Sequence, residues 1–337
     1  MRIAVDGMGG DNAPQEIVKG CVEASKVISD EIYIVGPEDV IKKELKKYKF
    51  DRNLIKIVHA PEVITNDDAP VKAARTKKDS SMIRAISLVR EKKCDFVISA
   101  GNTGALMAGA LFNLGRIPGI DRPAIGMTYP IIGEGVSFLV DAGANAECKP
   151  SNLLEFAAMG SIYMNKVLGF ESPTVGLVNI GAEEKKGTTM LKETYQLLKK
   201  SNLNFIGNVE ARDIPYGAAD VLVCDGFVGN TLLKLTEGLA GKVMQLLKER
   251  LTATTASKIG ALMLAGQLKE LKKDFDYSEY GGAPILGVRG PVIKIHGSSE
   301  ANAVKNALIK GIPYVENNVV GIIRDSVIEL EEITISE

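Results

Sequence analysis

The sequence predicts an α/β fold with a mostly parallel sheet and helices on both faces. Short apolar runs alternate with helical patterns along the chain, which is typical of a parallel sheet. Several of these runs end in polar, glycine-rich segments that lead directly into a helix. Hydrophobic residues make up 45% of the 337 residues, enough for a substantial core. Because no repeat or low-complexity linker divides the chain, we expect a single α/β catalytic domain over 1–337.

The elements follow from the hydrophobic pattern in chain order. Strands are expected at 2–6, 31–35, 54–59, 95–99, 123–128, 135–141, 174–179, 203–207, 220–224 and 291–295. Helices are expected at 14–28, 38–48, 79–92, 104–114, 151–166, 188–200, 228–251 and 299–316. Pro37 and Pro150 stand at helix starts, where a missing N–H is tolerated. The strands at 123–128 and 135–141 are joined through residues 132–135 and predict a hairpin.

The glycine-rich turn after the strand at 95–99 is the most informative segment. It reads Ser-Ala-Gly-Asn-Thr-Gly-Ala and leads into a helix. A strand, a tight turn and a helix start bring free N–H groups and the positive end of the helix dipole together, which favours phosphate. The alternative is an ordinary turn whose glycines only supply the backbone angles. The candidate binding residues here are Ser99, Gly101, Asn102, Thr103 and Gly104.

Three further glycine-rich segments join a strand to a helix. The first, after the strand at 2–6, supplies the candidate binding residues Asp6, Gly9, Gly10 and Asn12. Segment 179–189 supplies Asn179 and two candidate catalytic residues, Lys185 and Lys186. These lysines would neutralise phosphate or an oxyanion, or else form a solvated pair beside neighbouring glutamates. Segment 224–231 supplies the candidate binding residue Asn230. Because carboxyl ends of parallel strands share one edge, we expect all four segments to meet there.

Other common chemistries lack their sequence motifs. The chain contains no GxGxxG, GxxxxGK[ST], GxSxG or HExxH motif, and its four cysteines form no CxxC pair. Neither a metal site nor a disulfide framework is therefore expected. The net charge of −1 and the few aromatic residues argue against a nucleic-acid partner. Of the two histidines, His296 follows a predicted strand and precedes a helix, which makes it the better candidate for a catalytic site.

A long helix and the segment after it break the alternating pattern. The helix at 228–251 carries an apolar residue at every fourth position, which predicts a buried stripe; its members are Leu235, Leu239, Val243, Leu247 and Leu251. Residues 252–280 are expected to form a helical insertion that is apolar on one side and rich in lysine at its ends. This insertion either packs against the core or a dimer partner, or contacts anionic membrane. The candidate membrane contacts are Ile259, Leu262, Met263 and Leu264.

Several motifs together resemble the bacterial phosphate acyltransferases of phospholipid synthesis. In order and with close spacing they are Asp6–Asp11, Ser99–Ala105, Asp141–Asn145, Gly207–Arg212, Asp225–Asn230, and Tyr280–Ala283 through His296–Ser299. The resemblance runs from Met1 to about Ala307. One departure is Asn12, where many relatives carry histidine, so this position is not an obligatory base. The resemblance implies a Rossmann-like fold akin to phosphate acetyltransferase and isocitrate dehydrogenase, a homodimer, and neither cofactor nor metal.

The resemblance also implies an activity and its partners. The expected reaction moves a long-chain fatty acyl group from acyl-(acyl carrier protein) to inorganic phosphate, giving acyl phosphate for a membrane glycerol-3-phosphate acyltransferase downstream. The expected location is cytoplasmic, with peripheral attachment to an anionic membrane surface at the inner face of the cell membrane. The acidic carrier would dock on a basic cluster, although a solvated basic face is the alternative. This cluster consists of Arg75, Lys77, Lys78 and Arg84.

Two other function classes stay open. An isocitrate dehydrogenase-type oxidoreductase would share the fold but needs a metal-binding carboxylate set and a nucleotide pocket. A non-enzymatic membrane-recruiting scaffold would use residues 252–273 alone. The start of the chain is already a strand rather than a signal peptide, and no apolar run approaches the ~20 residues of a membrane span.

Overall fold

The computed structural model describes residues 1–133, 135–268 and 281–335. Within them, eleven strands form one sheet in the order β3-β2-β1-β4-β11-β10-β5-β6-β9-β7-β8. The strands are β1 (Arg2–Asp6), β2 (Glu31–Gly36), β3 (Ile55–His59), β4 (Phe96–Ser99), β5 (Ala124–Pro130), β6 (Val136–Val140), β7 (Val175–Asn179), β8 (Phe205–Glu210), β9 (Val221–Val223), β10 (Ala283–Leu286) and β11 (Val292–Lys294).

Helices connect most of these strands and cover the sheet. They are α1 (Gln15–Ala24), α2 (Glu38–Leu45), α3 (Pro70–Thr76), α4 (Ser81–Arg90), α5 (Thr103–Asn113), α6 (Pro150–Lys166), α7 (Thr189–Lys200), α8 (Gly226–Leu251), α9 (Thr255–Met263), α10 (Ala301–Glu316) and α11 (Val319–Ile335). A short 3-10 turn, Ile214–Tyr216, precedes β9. Among the described helices, none has the length and apolar character needed to cross a bilayer.

The two halves of the sheet run in opposite directions. In one half β1, β2, β3, β4 and β11 are parallel, and in the other β6, β7, β8 and β9 are parallel. Between the halves, β10 is antiparallel to both β11 and β5, and β5 is antiparallel to β6. The mostly parallel sheet and the hairpin of β5 and β6 are confirmed. The expectation that all four glycine-rich corners share one edge is wrong, because the central antiparallel strands reverse the chain direction.

Side chains alternate between two hydrophobic cores on the two faces of the sheet. In β1, Ile3 and Val5 point to the face covered by α1, α2, α6, α7, α10 and α11, whereas Ala4 points to the face covered by α3, α4, α5 and the start of α8. The inner strands are largely buried on both faces, which explains their nearly continuous apolar runs, whereas the edge strands β3 and β8 are partly exposed. The second face carries the site described below.

The structure contains three elements that the hydrophobic pattern did not predict. β10 is only four residues long and follows two glycines, and α3 is a seven-residue helix that begins at Pro70. α11 is a long C-terminal helix packed against α6. Short elements carry too few periods for a hydrophobic pattern, which accounts for the first two omissions.

The predicted burial of the α8 stripe is wrong for the single chain. The relative exposure is 59% for Leu235, 57% for Leu239 and 58% for Val243. Only the start of α8 lies on the sheet, where Leu233 is buried and the Tyr129 hydroxyl and Thr236 Oγ1 are 2.6 Å apart. The rest of the helix extends beyond the sheet toward α9. Of the predicted insertion 252–280, residues 269–280 lie outside the described residues.

Candidate active site

Three loops meet at the carboxyl ends of β1, β4 and β11. These strands are adjacent in the sheet, so the loops after them lie side by side. The backbone N–H of Asp11 donates to the carbonyl of Gly297 at 2.8 Å. The side-chain amide of Asn12 donates to the carbonyl of Ser298 at 3.0 Å. Asn12 therefore joins the first loop to the third, so its role is structural and not that of a catalytic base.

A buried pair of side chains fixes the turn after β4. Ser99 Oγ donates to Asp6 Oδ2 at 2.6 Å and accepts the backbone N–H of Gly101 at 3.0 Å. Burial raises the pKa of Asp6, and the hydrogen bonds from serine hydroxyls oppose that rise. Because Asp6 is almost completely buried, it positions the turn rather than contacting a ligand directly.

Glycines allow the first two loops to touch. A Cβ on Gly9 would lie 2.5 Å from Asp6 Oδ2 and 2.7 Å from the backbone nitrogen of Gly101. Gly10 has a φ of +93°, and a Cβ there would lie 2.8 Å from the carbonyl oxygen of Gly297. No larger residue fits either position without moving backbone, which explains the glycine pair in the sequence.

The N-terminus of α5 supplies hydrogen-bond donors to the site. Asn102 is the N-cap, and its Oδ1 accepts the backbone N–H of Ala105 at 3.0 Å. The N–H groups of Thr103 and Gly104 belong to the first turn and have no acceptor within the helix. Gly104 is packed closely, since a Cβ there would lie 3.0 Å from Pro70 at the start of α3. The turn therefore presents backbone donors and a positive dipole end, as the sequence predicts.

A cavity of about 550 Å³ opens beside this turn, within the usual size range of ligand sites. It lies where β11, β10 and β5 meet between α5 and α8. Its polar lining includes Asn66, Asn102, Thr103, Asn230, Lys294 and His296. Its apolar lining includes Ile125, Met127, Leu233, Ala283 and Ala303. The cavity therefore suits a ligand that has an anionic part and an apolar part.

Lys294 is a cavity residue that the sequence reasoning missed. It ends β11, and its Nζ donates to the carbonyl of Ala100 at 3.2 Å and also to the carbonyl of Ile295. Burial lowers its pKa to about 8, while the negative charges of Asp6 and Asp11 oppose that shift. The available signal was a lysine inside the apolar run Pro-Val-Ile-Lys-Ile, two positions before His296.

His296 lies in the same cavity, as its position after a strand suggests. Its Nδ1 accepts the backbone N–H of Ser298 at 3.2 Å and lies 2.8 Å from Ser298 Oγ. An Nδ1 that accepts an N–H places the proton of neutral imidazole on Nε2. Burial lowers the pKa of His296, which favours this neutral form. In this neutral form, Nε2 is the nitrogen of His296 that carries the proton.

Asn230 reaches the cavity from α8, near the loop after β6. The buried carboxylate of Asp141 accepts backbone N–H groups from Ile125 at 3.0 Å and from Asn145 at 2.7 Å. These hydrogen bonds hold Gly143 against α8, and a Cβ added to Gly143 would lie 3.3 Å from Asn230. The segment Asp141–Asn145 therefore positions the helix that forms one wall of the cavity.

The corner after β7 lies at the opposite edge of the sheet and does not line the cavity. Lys185 and Lys186 are both exposed, and Lys186 Nζ is 3.9 Å from Glu183. Asn179 Nδ2 donates to the carbonyl of Lys186 at 3.2 Å and so closes the loop on itself. The structure therefore does not bring Lys185, Lys186 or Asn179 together with the other candidates. β7 runs antiparallel to β4 and lies beyond β6 and β9 in the strand order, away from the central strands that form the cavity.

The basic cluster lies on α3, after it and on α4, and α3 packs along α5. Lys77 Nζ donates to Asp68 Oδ2 at 2.7 Å and to the carbonyl of Val63 at 3.0 Å, so this lysine ties a loop together. Arg84 Nε is 3.4 Å from Asp79. The Arg75 guanidinium lies over the ring of Phe112, 4.7 Å from its centroid. Arg75 and Lys78 are exposed.

Relatives of this chain have a consistent description. Residues 1–321 match the family model described as "Fatty acid synthesis protein". A phosphate acyltransferase of Clostridioides difficile is 55% identical over 320 residues, covering 95% of this chain and 94% of the relative. A phosphate acyltransferase of Alkaliphilus oremlandii is 56% identical over 330 residues, covering 98% of both chains.

Solved structures with the same fold are more distant in sequence. The EutD phosphotransacetylase of Staphylococcus aureus superposes with a TM-score of 0.62 at 16% identity, covering 94% of both chains. A phosphotransacetylase of Streptococcus pyogenes gives a TM-score of 0.63 at 17% identity, also covering 94% of both chains. The phosphotransacetylase-type fold that the sequence predicts is confirmed.

Proposed function

The chain belongs to the phosphate acyltransferase family of transferases, and we propose that it moves a long-chain fatty acyl group from acyl-(acyl carrier protein) to inorganic phosphate. The product is acyl phosphate, which a membrane glycerol-3-phosphate acyltransferase would consume in phospholipid synthesis. One observation carries the proposal: the donor groups at the start of α5 line a cavity that also has apolar lining residues, Ile125, Met127 and Leu233 among them. Phosphate and a fatty thioester are such a pair of ligands.

The proposed transfer needs no covalent enzyme intermediate. A phosphate oxygen attacks the thioester carbonyl carbon and forms the new C–O bond. The C–S bond then breaks, and sulfur keeps the bonding electrons and takes a proton from solvent to become the carrier thiol. Because free thiols have a pKa near 8.5, the thiolate is a good leaving group and strong acid catalysis is unnecessary. Positioning of phosphate and stabilisation of the oxyanion are the main tasks of the protein.

The cavity residues fit these two tasks. Phosphate would bind at the first turn of α5, where Thr103 and Gly104 offer backbone donors and Asn102 fixes the turn. Asn230 is a donor for the carbonyl oxygen as it becomes an oxyanion, and His296, the other catalytic candidate, lines the same cavity. Removal of one oxyanion donor typically costs ~3 kcal/mol of activation energy, or a rate loss of about 10²-fold.

The basic cluster is proposed as the docking surface for the acidic carrier. α3 packs against the start of α5, so a carrier seated on α3 would present its thioester to the cavity. Of the four cluster residues, Arg75 and Lys78 are the most suitable contacts, because Lys77 and Arg84 lie next to acidic residues of their own. Complementary charge mainly accelerates the encounter, so the effect falls as salt increases.

Two exposed apolar surfaces fit the proposed homodimer and the proposed membrane contact. The first consists of Leu235, Leu239 and Val243 on α8, and we assign it to the second copy of the chain. The second consists of Ile259, Leu262, Met263 and Leu264 around α9, with Leu262 76% exposed and Met263 79% exposed. We assign it to an anionic membrane surface, where the amphiphilic product would be handed on.

One double variant, Leu262→Glu with Met263→Glu, distinguishes contact of α9 with a membrane from packing of α9 against protein. The variant should remain a folded, active dimer that no longer sediments with anionic liposomes. Undiminished liposome binding would refute the membrane contact. Loss of the dimer would assign α9 to the subunit interface instead.

The activity itself is tested by product formation. Purified protein is mixed with a long-chain acyl-carrier thioester, with and without inorganic phosphate, and both free carrier thiol and acyl phosphate are measured. The proposal expects one acyl phosphate for each thiol released, and no release without phosphate. Release that does not depend on phosphate would contradict it. Titration with reduced nicotinamide cofactors, followed by fluorescence, tests the oxidoreductase alternative in the same preparation.

A further inference from the structure

We propose that Lys294 is the catalytic cation that binds the attacking inorganic phosphate, holding it between its ammonium group and the N-terminus of α5. This inference deepens the proposed function and rests on it. Neither the motifs of the sequence nor the family description points to Lys294. The inference comes from its contacts and from its position within the sheet.

The hydrogen bonds of Lys294 leave one donor for a ligand. An ammonium group carries three N–H donors. Two of them are directed to the carbonyl oxygens of Ala100 and Ile295. Among the described residues the third N–H has no acceptor, and the side chain lines the cavity. The two carbonyl contacts also fix the direction of the flexible lysine stem, so less side-chain entropy is lost when a ligand binds.

The sheet places this ammonium beside the helix start. β11 pairs in parallel with β4, and Lys294 is opposite Ser99 in the register. The Nζ contact to Ala100 O, at 3.2 Å, therefore falls within the turn that leads into α5. The first unpaired N–H of α5, that of Thr103, follows three residues after Ala100. An anion bound here would receive backbone donors from one side and the ammonium from the other.

The charged groups around Lys294 have other partners of their own. The titratable groups that act on it are Asp6, Asp11 and Lys234, and His296 and Glu237 line the same cavity. Asp6 accepts a hydrogen bond from Ser99, and Asp11 accepts the side-chain amide of Asn66 at 3.3 Å. Lys234 is exposed and bonded to Glu237 at 2.7 Å, whereas Lys294 is half-buried. An anion that binds beside a half-buried cation stabilises its charge.

A phosphodiester on the carrier's thioester arm is a second phosphate group that Lys294 and the α5 turn could bind. We commit to inorganic phosphate because the N-terminal turn of α5 and Lys294 line the same cavity, and Lys294 Nζ bonds to Ala100 in the turn that leads into α5. A short thioester donor without any phosphate group separates the two sources. If Lys294 binds inorganic phosphate, its substitution raises the phosphate KM even with that donor. If Lys294 binds the phosphodiester of the carrier arm, its substitution leaves the phosphate KM unchanged with that donor.

The test compares Lys294→Met, Lys294→Arg and wild type, with Lys56→Met as a matched control. Lys56 is a half-buried lysine in β3, far from the cavity in the sheet order. Steady-state rates are measured with the phosphate-free thioester donor while phosphate is varied. Phosphate binding without any donor is measured separately by calorimetry, and circular dichroism checks the fold.

Lys294→Met should lower kcat/KM for phosphate by about 10²-fold, while the KM for the thioester changes little. Its calorimetric phosphate affinity should fall in parallel, and Lys56→Met should resemble wild type. Wild-type kcat/KM for phosphate should decline as pH rises through about 8, because Lys294 loses its charge there. In Lys294→Arg the decline should move to higher pH, since arginine stays protonated.

Wild-type phosphate kinetics and affinity in Lys294→Met would overturn the inference and leave the proposed function intact. An equal loss for both substrates would assign Lys294 a structural role and also contradict it. If wild type transfers no acyl group, the proposed function fails, and calorimetry with phosphate alone still decides whether Lys294 binds the anion.

Discussion

The corner after β4 begins with the buried residues Ser99, Ala100 and Gly101, whereas the corner after β7 is exposed from Ala182 to Lys186. Ser99 bonds to Asp6 on another strand, and the turn leads to a cavity. Asn179 bonds instead to Lys186 of the same loop, and Glu184 accepts Gln196 and Lys199 at the surface. The first corner borders a cavity, whereas the second meets bulk solvent, where charge interactions are weaker.

The comparison teaches that a glycine-rich turn becomes a site through its neighbours. Both corners have glycines, polar residues and a helix start. The first corner lies beside β1 and β11, and β11 brings Lys294 to the same cavity. The second corner also has parallel neighbours, β8 and β9, but its loop does not line the cavity. Matched substitutions at the two corners test this difference.

Substitution of a glycine should show the largest difference in effect between the two corners. Gly9→Ala places a Cβ 2.7 Å from the backbone nitrogen of Gly101, whereas a Cβ on Gly181 meets flexible side chains, Glu183 at 2.8 Å and Lys186 at 3.1 Å. We expect Gly9→Ala to destabilise the protein by about 1–3 kcal/mol, with activity lost beyond the loss of folded protein. Gly181→Ala should change the stability and the activity only slightly. Thermal unfolding and turnover are the measurements, and equal effects of the two variants would break the comparison.

Asparagine substitution should have the next largest effect. Asn102→Ala removes the N-cap of α5 and should cost about 1 kcal/mol of stability. Turnover at low phosphate should fall about tenfold or more, because the donors at the start of α5 lose their fixed direction. Asn179→Ala disturbs a surface loop, and its phosphate KM should stay within about twofold of wild type, given the modest net value of one hydrogen bond. A larger phosphate effect in Asn179→Ala would favour the second corner.

Charge reversal beside the first corner should have a smaller and salt-dependent effect. Arg75→Glu with Lys78→Glu should raise the KM for the acyl-carrier thioester about tenfold at low salt and leave the phosphate KM unchanged. The effect should shrink when salt is added. Stopped-flow association with the carrier measures it directly. An identical change for both substrates would argue against docking on α3.

Alanine at Lys185 or Lys186 should have the smallest effect. Both side chains are exposed and surrounded by Glu183 and Glu184, so their interactions are screened by solvent. Turnover at saturating phosphate should remain within about twofold of wild type, since surface pairs contribute little free energy. A loss of more than tenfold would restore the sequence-based hypothesis that these lysines take part in catalysis.

The local pattern predicted the elements well but could not give the direction of the second half of the sheet. The alternating runs and the hairpin of β5 and β6 follow from local periodicity. β10 is four residues long, yet its antiparallel pairing with β11 and β5 separates the two halves. The sequence reasoning missed this strand, and with it the reason why Lys186 and Asn102 lie at opposite edges.

The same limit applies to the site. Asn102, Thr103 and Gly104 were found because the chemistry and the helix start are local in sequence. Lys294 was missed because it reads as one polar residue in an apolar strand, and only the pairing of β11 with β4 brings it to the turn. The exposed stripe on α8 was misjudged for a related reason: periodicity shows that a face is apolar, not what covers it.

The central claim, that phosphate binds at the corner after β4, is tested most directly by locating a heavier analogue of phosphate. Crystals of the protein would be soaked with arsenate, and anomalous scattering from arsenic would mark the bound anion. The account predicts a peak within hydrogen-bond reach, about 3–4 Å, of both Lys294 Nζ and the first backbone nitrogens of α5. A peak in the loop between Asn179 and Thr189, with none beside Lys294, would contradict it.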